Sequence, residues 1–522
     1  MKRMKRIIGV SALFFCLVFQ SFGQSWEVYD RDFQLKSRLI YEDIQLLSET
    51  VKIGKRDSSL FLLSRDNKPA VQIEAEEIYQ YLAPWILVKS GDKIGAYHEY
   101  GSKSLENEYD EIQTFVNFLL AKKGDEYFVF QRGTGKTIEL GLLEWASITH
   151  TGMVLTKKDG KYFIPFSETP EKPYELLEEN EGKYLLAKES SGYGIINIDG
   201  KYIMEPVLEK LEHTSGNFFY GFNEDQYFLI EGTELSADIR YNSYHEIRKE
   251  GDLLTEYIRG KLRRVMDWEG IILDTIGMEN VQLISKGNML VQMRDEKIGL
   301  LGDTGWKVKP VSNVEKIFPG TDGYFPAQFE NKIGVIDNAG NWTIQPEFDE
   351  IKLLSEEMAA YLDGGKTGLI SINGEILSSP KWNDVKDFKD GLAISSVNES
   401  SFLITNSGQE VMTEGYENIL RIDSDNFLIE KEGKVGMIDR NGKSLLDVNY
   451  DAIQQMEEGL FLVNNEGKYG LADAEGSLIF PVAYEEILID YGTDEVLMKS
   501  EYIPVVVVEP ELSKKKKKKK GA

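Results

Sequence analysis

The sequence predicts an all-β protein made of a tandem array of about 13 β-meander repeats, each about 34 residues long. The first observation is a series of glycines, each 34 positions after the one before: Gly340, Gly374, Gly408, Gly442 and Gly476. The second is an aromatic residue eight positions after each glycine: Phe348, Trp382, Tyr416, Tyr450 and Tyr484. The third is that the residues between them form short runs rich in β-branched and aromatic side chains, which are typical of strands.

Residues 427–453, FLIEKEGKVGMIDRNGKSLLDVNYDAI, show how one repeat is expected to fold. The strand-like runs FLIEKE and KVGMID meet at Glu432–Gly433. The NG pair at Asn441–Gly442 predicts a second hairpin turn, because both residues tolerate a positive φ. Gly436 interrupts the second strand, which predicts the close approach of a neighbouring backbone or aromatic ring. Each repeat is therefore expected to be a small antiparallel meander.

Prolines recur between the turn glycine and the closing aromatic, at Pro206, Pro310, Pro346, Pro380 and Pro481. Because proline has no N–H to donate, these positions are expected to end a strand or to lie at a sheet edge. One repeat buries too few apolar side chains to offset the cost of ordering its backbone, so neighbouring repeats are expected to share a core.

Two arrangements of such repeats are compatible with the sequence. An open β-solenoid or superhelix of stacked meanders is the expected arrangement, because it sets no limit on repeat number. The alternative is a double β-propeller, which needs two rings of shortened blades, since a propeller blade ordinarily takes about 40 residues or more.

The first 23 residues have the three parts of a secretory signal peptide: a basic start, a short apolar run and small residues before the cut. Cleavage is expected between Gly23 and Gln24. The single cysteine, Cys16, lies inside the apolar run, and the large Phe15 before it disfavours acylation at that position. No later segment is apolar enough to be a predicted transmembrane helix.

The chain accordingly divides into a signal peptide at residues 1–23, an N-terminal lead-in at 24–40, a repeat array at 41–512 and a disordered lysine-rich tail at 513–522. The repeats within residues 126–180 and 218–280 match the pattern least well.

Charge argues against nucleic acid as a partner. The chain has 87 acidic and 60 Lys and Arg residues, a formal net charge of −27. Without the four basic residues of the signal peptide the net charge is −31, and without the lysine run it is −38. Phosphate binding relies on a basic face, which this composition does not favour. The lysine run is expected to be solvated, with contact to an anionic surface or to the acidic body as alternatives: Lys514, Lys515, Lys516, Lys517, Lys518, Lys519 and Lys520.

The stretch RGTGKT at residues 132–137 resembles part of a phosphate-binding loop. The full motif needs a further glycine five positions before Gly135, and Phe130 stands there. The stretch is instead expected to be a hairpin turn with Lys136 in solvent. Counting eight positions back from Trp145, taken as the closing aromatic, places that turn near Thr137.

Other candidates for chemistry give no catalytic constellation, and no catalytic residue, metal or cofactor is predicted. The four histidines are expected at the surface, without metal-ligand spacing: His98, His150, His213 and His245. RIDSDNF, with Asp423 and Asp425, lacks the glycine and the closing glutamate of a calcium loop and is interpreted as an acidic turn. The acidic residues that follow each closing aromatic are expected to be exposed structural positions; the alternative is a stripe that binds cations or sugars.

The repeats resemble the WG-repeat family of bacterial proteins, whose units have a lysine, an aromatic and a glycine, a DxxG turn, a proline and a YDEI closure. The strongest matches are residues 297–317, 332–351, 434–453 and 468–487. The Trp-Gly pair itself is absent, and only Tyr193–Gly194 and Tyr469–Gly470 keep an aromatic before the glycine among these positions. The resemblance implies an architecture and no single activity.

These observations predict an exported, non-enzymatic binding or scaffold protein. Its repetitive β surface would contact a protein or glycan of the cell envelope or exterior. The alternative is a secreted or periplasmic hydrolase, with an active site assembled across several repeats.

Overall fold

The computed structural model describes residues 23–180, 182–250, 253–266, 272–274, 278–285, 288–302, 305–456 and 459–502. These residues contain 54 β-strands and no α-helix, which confirms the predicted all-β class.

The strands of the first third are β1 (Gly23–Tyr29), β2 (Leu35–Leu39), β3 (Asp43–Leu46), β4 (Lys52–Arg56), β5 (Ser59–Leu63), β6 (Pro69–Ile73), β7 (Glu77–Leu82), β8 (Trp85–Ser90), β9 (Lys93–His98), β10 (Lys103–Tyr109), β11 (Glu111–Phe115), β12 (Phe118–Lys123), β13 (Glu126–Gln131), β14 (Lys136–Leu142), β15 (Trp145–Ile148), β16 (Val154–Lys158) and β17 (Lys161–Phe163). The next are β18 (Leu176–Glu179), β19 (Leu185–Glu189), β20 (Gly192–Ile196), β21 (Tyr202–Leu208), β22 (Lys210–Ser215), β23 (Phe218–Asn223), β24 (Gln226–Gly232), β25 (Ala237–Ser243), β26 (Glu246–Glu250), β27 (Leu253–Ile258), β28 (Lys261–Met266), β29 (Ile272–Asp274), β30 (Met278–Ser285), β31 (Asn288–Met293), β32 (Ile298–Gly302) and β33 (Gly305–Val311). The last are β34 (Lys316–Ile317), β35 (Tyr324–Phe329), β36 (Lys332–Asp337), β37 (Trp342–Phe348), β38 (Glu350–Leu353), β39 (Met358–Asp363), β40 (Lys366–Ser371), β41 (Ile376–Trp382), β42 (Asp384–Val385), β43 (Leu392–Val397), β44 (Ser400–Thr405), β45 (Asn418–Arg421), β46 (Asn426–Lys431), β47 (Lys434–Asp439), β48 (Ser444–Tyr450), β49 (Ala452–Gln455), β50 (Phe461–Asn465), β51 (Lys468–Ala472), β52 (Leu478–Tyr484), β53 (Glu486–Asp490) and β54 (Glu495–Tyr502).

The described residues form fourteen small sheets. Eleven are four-stranded meanders of consecutive strands: β3–β6, β7–β10, β11–β14, β18–β21, β22–β25, β26–β29, β30–β33, β34–β37, β38–β41, β45–β48 and β49–β52. Two have three strands, β15–β17 and β42–β44, and one has the order β2-β1-β54-β53. The closing motif lies where one sheet ends and the next begins along the chain. In the structure this motif supplies the first strand of the next sheet, as in β38, where Ile351 is buried.

Residue packing divides the chain into two compact units. The first comprises Met1–Glu77, Leu462–Leu471 and Leu478–Ala522, and the second comprises Ile78–Phe461 and Ala472–Ser477.

In the first unit, the first and last described strands belong to one sheet. β1 lies between β2 and β54, and Trp26 is the Cα partner of Lys499. The predicted open solenoid is therefore wrong, because an open array leaves its first and last strands in different sheets. Four-stranded meanders and a sheet shared between the two ends of the chain are features of β-propellers, so the structure supports the propeller alternative. The shared sheet uses the residues predicted as a lead-in, 24–40, which is why the sheets outnumber the predicted repeats.

A buried polar network holds this shared sheet against β3–β6. Lys52 Nζ lies 2.7 Å from Asp490 Oδ2 and also 2.7 Å from Asn67 Oδ1. The Asn67 side chain donates in turn to Glu495 Oε2 at 3.0 Å. The side chains of Lys52 and Asp490 are 3% and 1% exposed. Removing one member of such a buried pair leaves the other charge buried without a partner, which typically lowers the free energy of unfolding by about 3–5 kcal/mol.

In the second unit, consecutive sheets share their cores, as the sequence predicted. One cluster combines side chains of β43, β44 and the segment after it with side chains of β45, β46 and β47: Leu392, Leu403, Met412, Ile419, Phe427, Ile429 and Ile438. A single sheet would expose half of this cluster, so each repeat depends on the next for its burial.

The glycine of each regular repeat lies under a bulge of the fourth strand. Ile333 pairs with Phe348 and Val335 pairs with Ile344, so Gly334 has no direct partner in β37 and three residues of that strand pass over it. A Cβ added to Gly334 would collide with the Ile344 carbonyl oxygen and the backbone around Pro346. The predicted close approach of a neighbouring backbone is thus confirmed. Prolines at this bulge need no ladder hydrogen bond, which explains Pro206, Pro310, Pro346 and Pro380.

Where phenylalanine replaces this glycine, the fourth strand behaves differently. Phe61, Phe128 and Phe228 each have a direct fourth-strand partner, and the register of each strand pair shifts by one residue in place of the wider bulge. Phe163 and Phe402 belong to the two sheets in which the described residues have no fourth strand. A side chain at this position occupies the space that the bulge needs, because interiors are close-packed.

The DxxG turns confirm the predicted role of the turn glycines. Gly442 has φ +78°, and Asp439 Oδ1 accepts hydrogen bonds from the N–H groups of Asn441 and Lys443 at 2.8 and 2.9 Å. The hairpin turn predicted at Asn441–Gly442 is confirmed, and only the glycine of the pair has a positive φ. The tight turn with two positive φ values is the earlier one, at Glu432 and Gly433, with φ +54° and +71°.

Candidate functional site

The acidic residue after each closing aromatic has a structural role. The Asp110 carboxylate accepts the Gly124 N–H at 2.7 Å, and the Glu417 carboxylate accepts the Glu432 N–H at 3.1 Å. Each acid therefore caps the tight turn between the second and third strands of its own sheet. Hydrogen bonds, first from Lys93 and then from the Gly124 N–H, hold the pKa of Asp110 below its usual range.

The same acids pair with the lysine that begins the third strand of the preceding sheet. The Nζ to Oδ1 distance is 2.5 Å in Lys93–Asp110, 2.7 Å in Lys332–Asp349 and 2.6 Å in Lys434–Asp451. These pairs are exposed, so each contributes little to stability, about 0–1 kcal/mol. Their recurrence confirms the structural interpretation of the closing-motif acids.

The acidic stretch around Asp423 is a bend that satisfies its own backbone. Asp423 Oδ1 accepts the N–H groups of Asp425 and Asn426, each at 2.8 Å. Within the described residues, no group of three or more His, Cys, Asp or Glu side chains could hold a metal ion.

A cleft of about 780 Å³ opens beside the three-stranded sheet β15–β17. Residues 164–175 follow β17 in place of a fourth strand, and their first part turns back through a hydrogen bond from Ser167 N to the Ile164 carbonyl at 3.1 Å. The cleft lies between this segment, the turn after β13 and the DxxG turn after β20. Its lining therefore comes from three successive sheets.

The walls of the cleft combine apolar side chains with polar groups, most of them uncharged. Phe166 and Ile198 are 48% and 49% exposed at its mouth. The polar lining consists of two amides, two hydroxyls and one unpaired carboxylate: Asn117, Gln131, Thr134, Ser167 and Asp199. The Lys201 ammonium lies 2.8 Å from Glu168 Oε1, and this hydrogen bond raises the pKa of Lys201. Since that pair is neutral as a whole, the lining carries little net charge.

The RGTGKT stretch forms one rim of the cleft and is a hairpin turn, as predicted. Residues 132–135 connect β13 to β14, and Lys136 is exposed. The predicted position near Thr137 is wrong, because Thr137 lies in β14 and pairs with Phe130. Trp145 is not the closing residue of this repeat, because the closing-motif acid is Glu144 and the residue before it is Leu143. Leu143 occupies that position, and eight positions back from it stands Gly135, with φ +63°.

His98 was predicted to lie at the surface, and this prediction is wrong because the side chain is buried. It is 3% exposed and occupies the Asp position of a DxxG turn, where its Nδ1 accepts the Tyr100 N–H at 3.2 Å. The Trp85 ring packs against it edge-on, with ring centroids 5.5 Å apart. Burial, reinforced by the charge of Arg132, lowers the pKa of His98. Sequence spacing could have identified this position, because His98 is three residues after Gly95, as Asp337 is after Gly334.

The remaining predicted positions fall at the two ends of the chain. Gly23 is the first residue of β1, and Gln24 is the Cα partner of Glu501. The signal peptide before Gly23 and the lysines from Lys514 to Lys520 lie outside the described residues. No helix of the described residues has the length and apolar character needed to span a bilayer.

Fold and site together define a repeat protein of small β-sheets with a cleft where one sheet is incomplete. The WG containing repeat matches residues 333–366, 368–399 and 436–469, so the chain carries repeats of that family, and the predicted resemblance is confirmed. Comparison with curated proteins gives no match.

Among solved structures, the chain is similar to the extracellular domain of a putative one-component system from B. thetaiotaomicron, with 10% identity, 84% of this chain and 82% of that chain covered, and a TM-score of 0.20. It is also similar to a eukaryotic initiation factor, with 9% identity, 64% and 96% covered and a TM-score of 0.25. A third similarity is to PorZ, a bacterial surface component of the type-IX secretion system of Porphyromonas gingivalis, with 9% identity, 90% and 81% covered and a TM-score of 0.18. These TM-scores are too low to support a conclusion about function.

Proposed function

We propose that this chain is an exported, non-enzymatic binding protein whose cleft beside β15–β17 holds a glycan. The observation that carries the proposal is the cleft itself, because it departs from the regular repeats and combines exposed apolar side chains with amides and hydroxyls. Ligand sites in proteins typically combine apolar walls with a few polar groups that fix orientation. Export rests on the predicted signal peptide at residues 1–23.

A glycan suits this lining better than a charged ligand. Sugar rings offer apolar faces to side chains such as Phe166, and they offer hydroxyls to amides such as Gln131 and Asn117. The one ammonium group of the lining, on Lys201, is already paired with Glu168, which leaves no free cation for a phosphate or carboxylate. Carboxylates at the closing positions of the regular repeats cap turns or pair with lysines, which favours binding over hydrolysis as the role of the array.

The test is a glycan array probed with the protein lacking residues 1–23, followed by calorimetric titration of the best glycan. Phe166→Ala should weaken binding at least tenfold, because it removes the exposed ring at the mouth of the cleft. Ile376→Ala is the matched control, since Ile376 is 50% exposed on the fourth strand of a regular sheet. The Ile376→Ala variant should bind the glycan with the affinity of the unmodified chain.

Three results would contradict the proposal. Equal weakening by Phe166→Ala and Ile376→Ala would place the binding outside the cleft. Capture of a protein partner that Phe166→Ala releases, without any glycan bound, would show a protein ligand. Turnover of the glycan that disappears in Glu168→Gln would show the hydrolase instead.

A further inference from the structure

A second groove, of about 580 Å³, lies between the first strand of β15–β17 and β18. We refer to it as the acidic–aromatic groove and define it by Glu144, Trp145, Lys157, Tyr162, Glu178 and Glu179. Its residues are distinct from those that line the cleft of the proposed glycan site.

Trp145 differs from the residues that hold the equivalent position in other repeats. The residue before it, Glu144, is the closing-motif acid, because its carboxylate accepts the Gly160 N–H at 2.9 Å. The next position holds an exposed glutamate in β11 and β38, Glu111 and Glu350. In β15 that position holds Trp145, which is 40% exposed. The fold does not require a large ring there, since other repeats form the same strand with a charged residue.

Three carboxylates line the groove together with Trp145. Glu178 is exposed, and its side chain has no hydrogen bond or ion pair among the described residues. Glu179 contacts the backbone N–H and Nδ1 of His150. Lys157 is the single lysine of the groove, and it already lies over the Tyr162 ring, with Nζ 5.1 Å from the ring centroid. Three carboxylates and one ammonium give the groove a formal charge of −2.

An exposed indole beside three carboxylates, of which Glu178 has no partner among the described residues, attracts cations. A lysine or arginine side chain is attracted to the face of an aromatic ring, most strongly to tryptophan, and the carboxylates add Coulomb attraction. The Lys157–Tyr162 contact shows the same geometry within the groove. An anionic partner would be repelled, and a purely apolar partner would leave the carboxylates without counter-charges.

We propose that the acidic–aromatic groove binds the lysine run Lys514–Lys520 of a second copy of this chain. We choose this occupant because its charge is complementary to that of the chain. The run has seven consecutive ammonium groups, and the chain without the run and without the signal peptide has a net charge of −38. Eleven residues separate Tyr502 from the first of these lysines. They span at most about 40 Å when extended, enough for the run to leave its own copy. In an extended run, alternate lysines lie about 7 Å apart on one face, so neighbouring ammonium groups can contact the indole and the carboxylates together.

The experiment is sedimentation velocity of the chain without residues 1–23 over a concentration series, at 50 mM and 300 mM NaCl. Self-association is expected at low salt and should weaken at high salt, because screening reduces contacts between exposed charges. Replacing all seven lysines by glutamine should abolish it, and a heptalysine peptide should compete with it.

Two point variants locate the contact. Trp145→Ala and Glu178→Gln should each raise the dissociation constant of the dimer, by at least tenfold for Trp145→Ala. Glu350→Gln is the matched control, because Glu350 holds the strand position of Trp145 in a regular sheet, and it should leave the constant unchanged. Circular dichroism and the Tm of each variant check that the fold is intact.

The proposal is overturned if Trp145→Ala associates like the unmodified chain, or if Glu350→Gln weakens association as much as Glu178→Gln. The latter result would show attraction to a diffuse acidic surface. A chain that stays monomeric up to 1 mM at low salt would equally exclude a second copy as the source of the lysines, even if heptalysine bound.

Discussion

The glycine-bearing sheets β34–β37, β38–β41 and β45–β48 differ from the sheet β15–β17 in the third residue of the third strand and in whether a fourth strand follows it. Gly334, Gly368 and Gly436 let the fourth strand bulge over the third. Phe163 occupies the same position in β17, and no fourth strand follows it in the described residues. A pocket of about 670 Å³ lies beside the regular sheet β34–β37 as well, but the cleft and the groove beside β15–β17 contain side chains, such as Trp145, that depart from the repeat. Function in a repeat array is therefore to be sought where the repeat is broken.

The largest expected difference in stability is between alanine variants of Trp382, in a regular sheet, and Trp145, in the sheet β15–β17. Trp382 ends β41 and is fully buried, so Trp382→Ala should lower the free energy of unfolding by about 3–5 kcal/mol. Trp145 is 40% exposed, with one edge contact to Tyr162 at 6.2 Å, so Trp145→Ala should cost about 1 kcal/mol or less. Thermal denaturation of both variants is the measurement. Equal losses would mean that Trp145 is a core residue and that the comparison is wrong.

The turn glycines provide the second contrast. Gly442 has φ +78°, and an added Cβ would lie 3.0 Å from the Val411 carbonyl oxygen, whereas Gly135 has φ +63° and open space around it. Gly442→Val should cost about 3 kcal/mol or more, from strain and overpacking together. Gly135→Val should cost only the strain, about 1–3 kcal/mol.

Asp423→Ala is the reference variant for the stability loss of Gly442→Val, measured by thermal denaturation. It removes two hydrogen bonds to backbone N–H groups and should cost about 1 kcal/mol, less than Gly442→Val. If the melting temperatures of Gly442→Val and Asp423→Ala agreed, the structural role assigned to the turn glycine would be refuted.

The third prediction concerns pH. His98 caps its turn with a neutral Nδ1, and burial lowers its pKa from the ordinary value of 6.5. The unfolded chain therefore takes up a proton at a higher pH than the folded chain does. The stabilisation is complete above about pH 6.5 and should be lost as the pH falls through the lower pKa of the folded state.

The measurement is the Tm between pH 5 and pH 8, with His98→Asn as the control. Asn197 fills the equivalent position in another sheet, where Oδ1 accepts the Asp199 and Lys201 N–H groups at 3.1 and 3.0 Å. Asparagine does not titrate, so His98→Asn should show a smaller loss of Tm at low pH than the unmodified chain. The same pH profile in both proteins would rule out His98 as the cause.

The smallest expected effect is at Lys136. This lysine is exposed at the start of β14, so Lys136→Ala should change the free energy of unfolding by no more than about 0.5 kcal/mol. ATP with magnesium should give no thermal shift, although a real site would stabilise the fold by about 2.7 kcal/mol at a hundredfold excess over Kd. A saturable shift that Lys136→Ala abolishes would restore the nucleotide-binding interpretation of RGTGKT.

The sequence by itself determined the repeat, its turns and the need for a close backbone approach at glycines such as Gly436. These features are local, since a positive φ at Gly442 or a missing Cβ at Gly436 is a property of a few adjacent residues. The spacing of the glycines also contained the correct turn near RGTGKT, but Trp145 was mistaken for the closing residue because aromaticity was weighed above register.

Only the tertiary structure decided how the array ends and where it opens. The pairing of β1 with β54 joins residues more than 450 positions apart, and no local pattern specifies such a partner. The burial of Lys52, Asp490 and His98 is also a tertiary property, because the same residue types are exposed in other repeats. The loss of the fourth strand after Phe163 depends on space: phenylalanine at this position is compatible with a fourth strand in β11–β14 and β22–β25, and the neighbouring packing determines which outcome occurs.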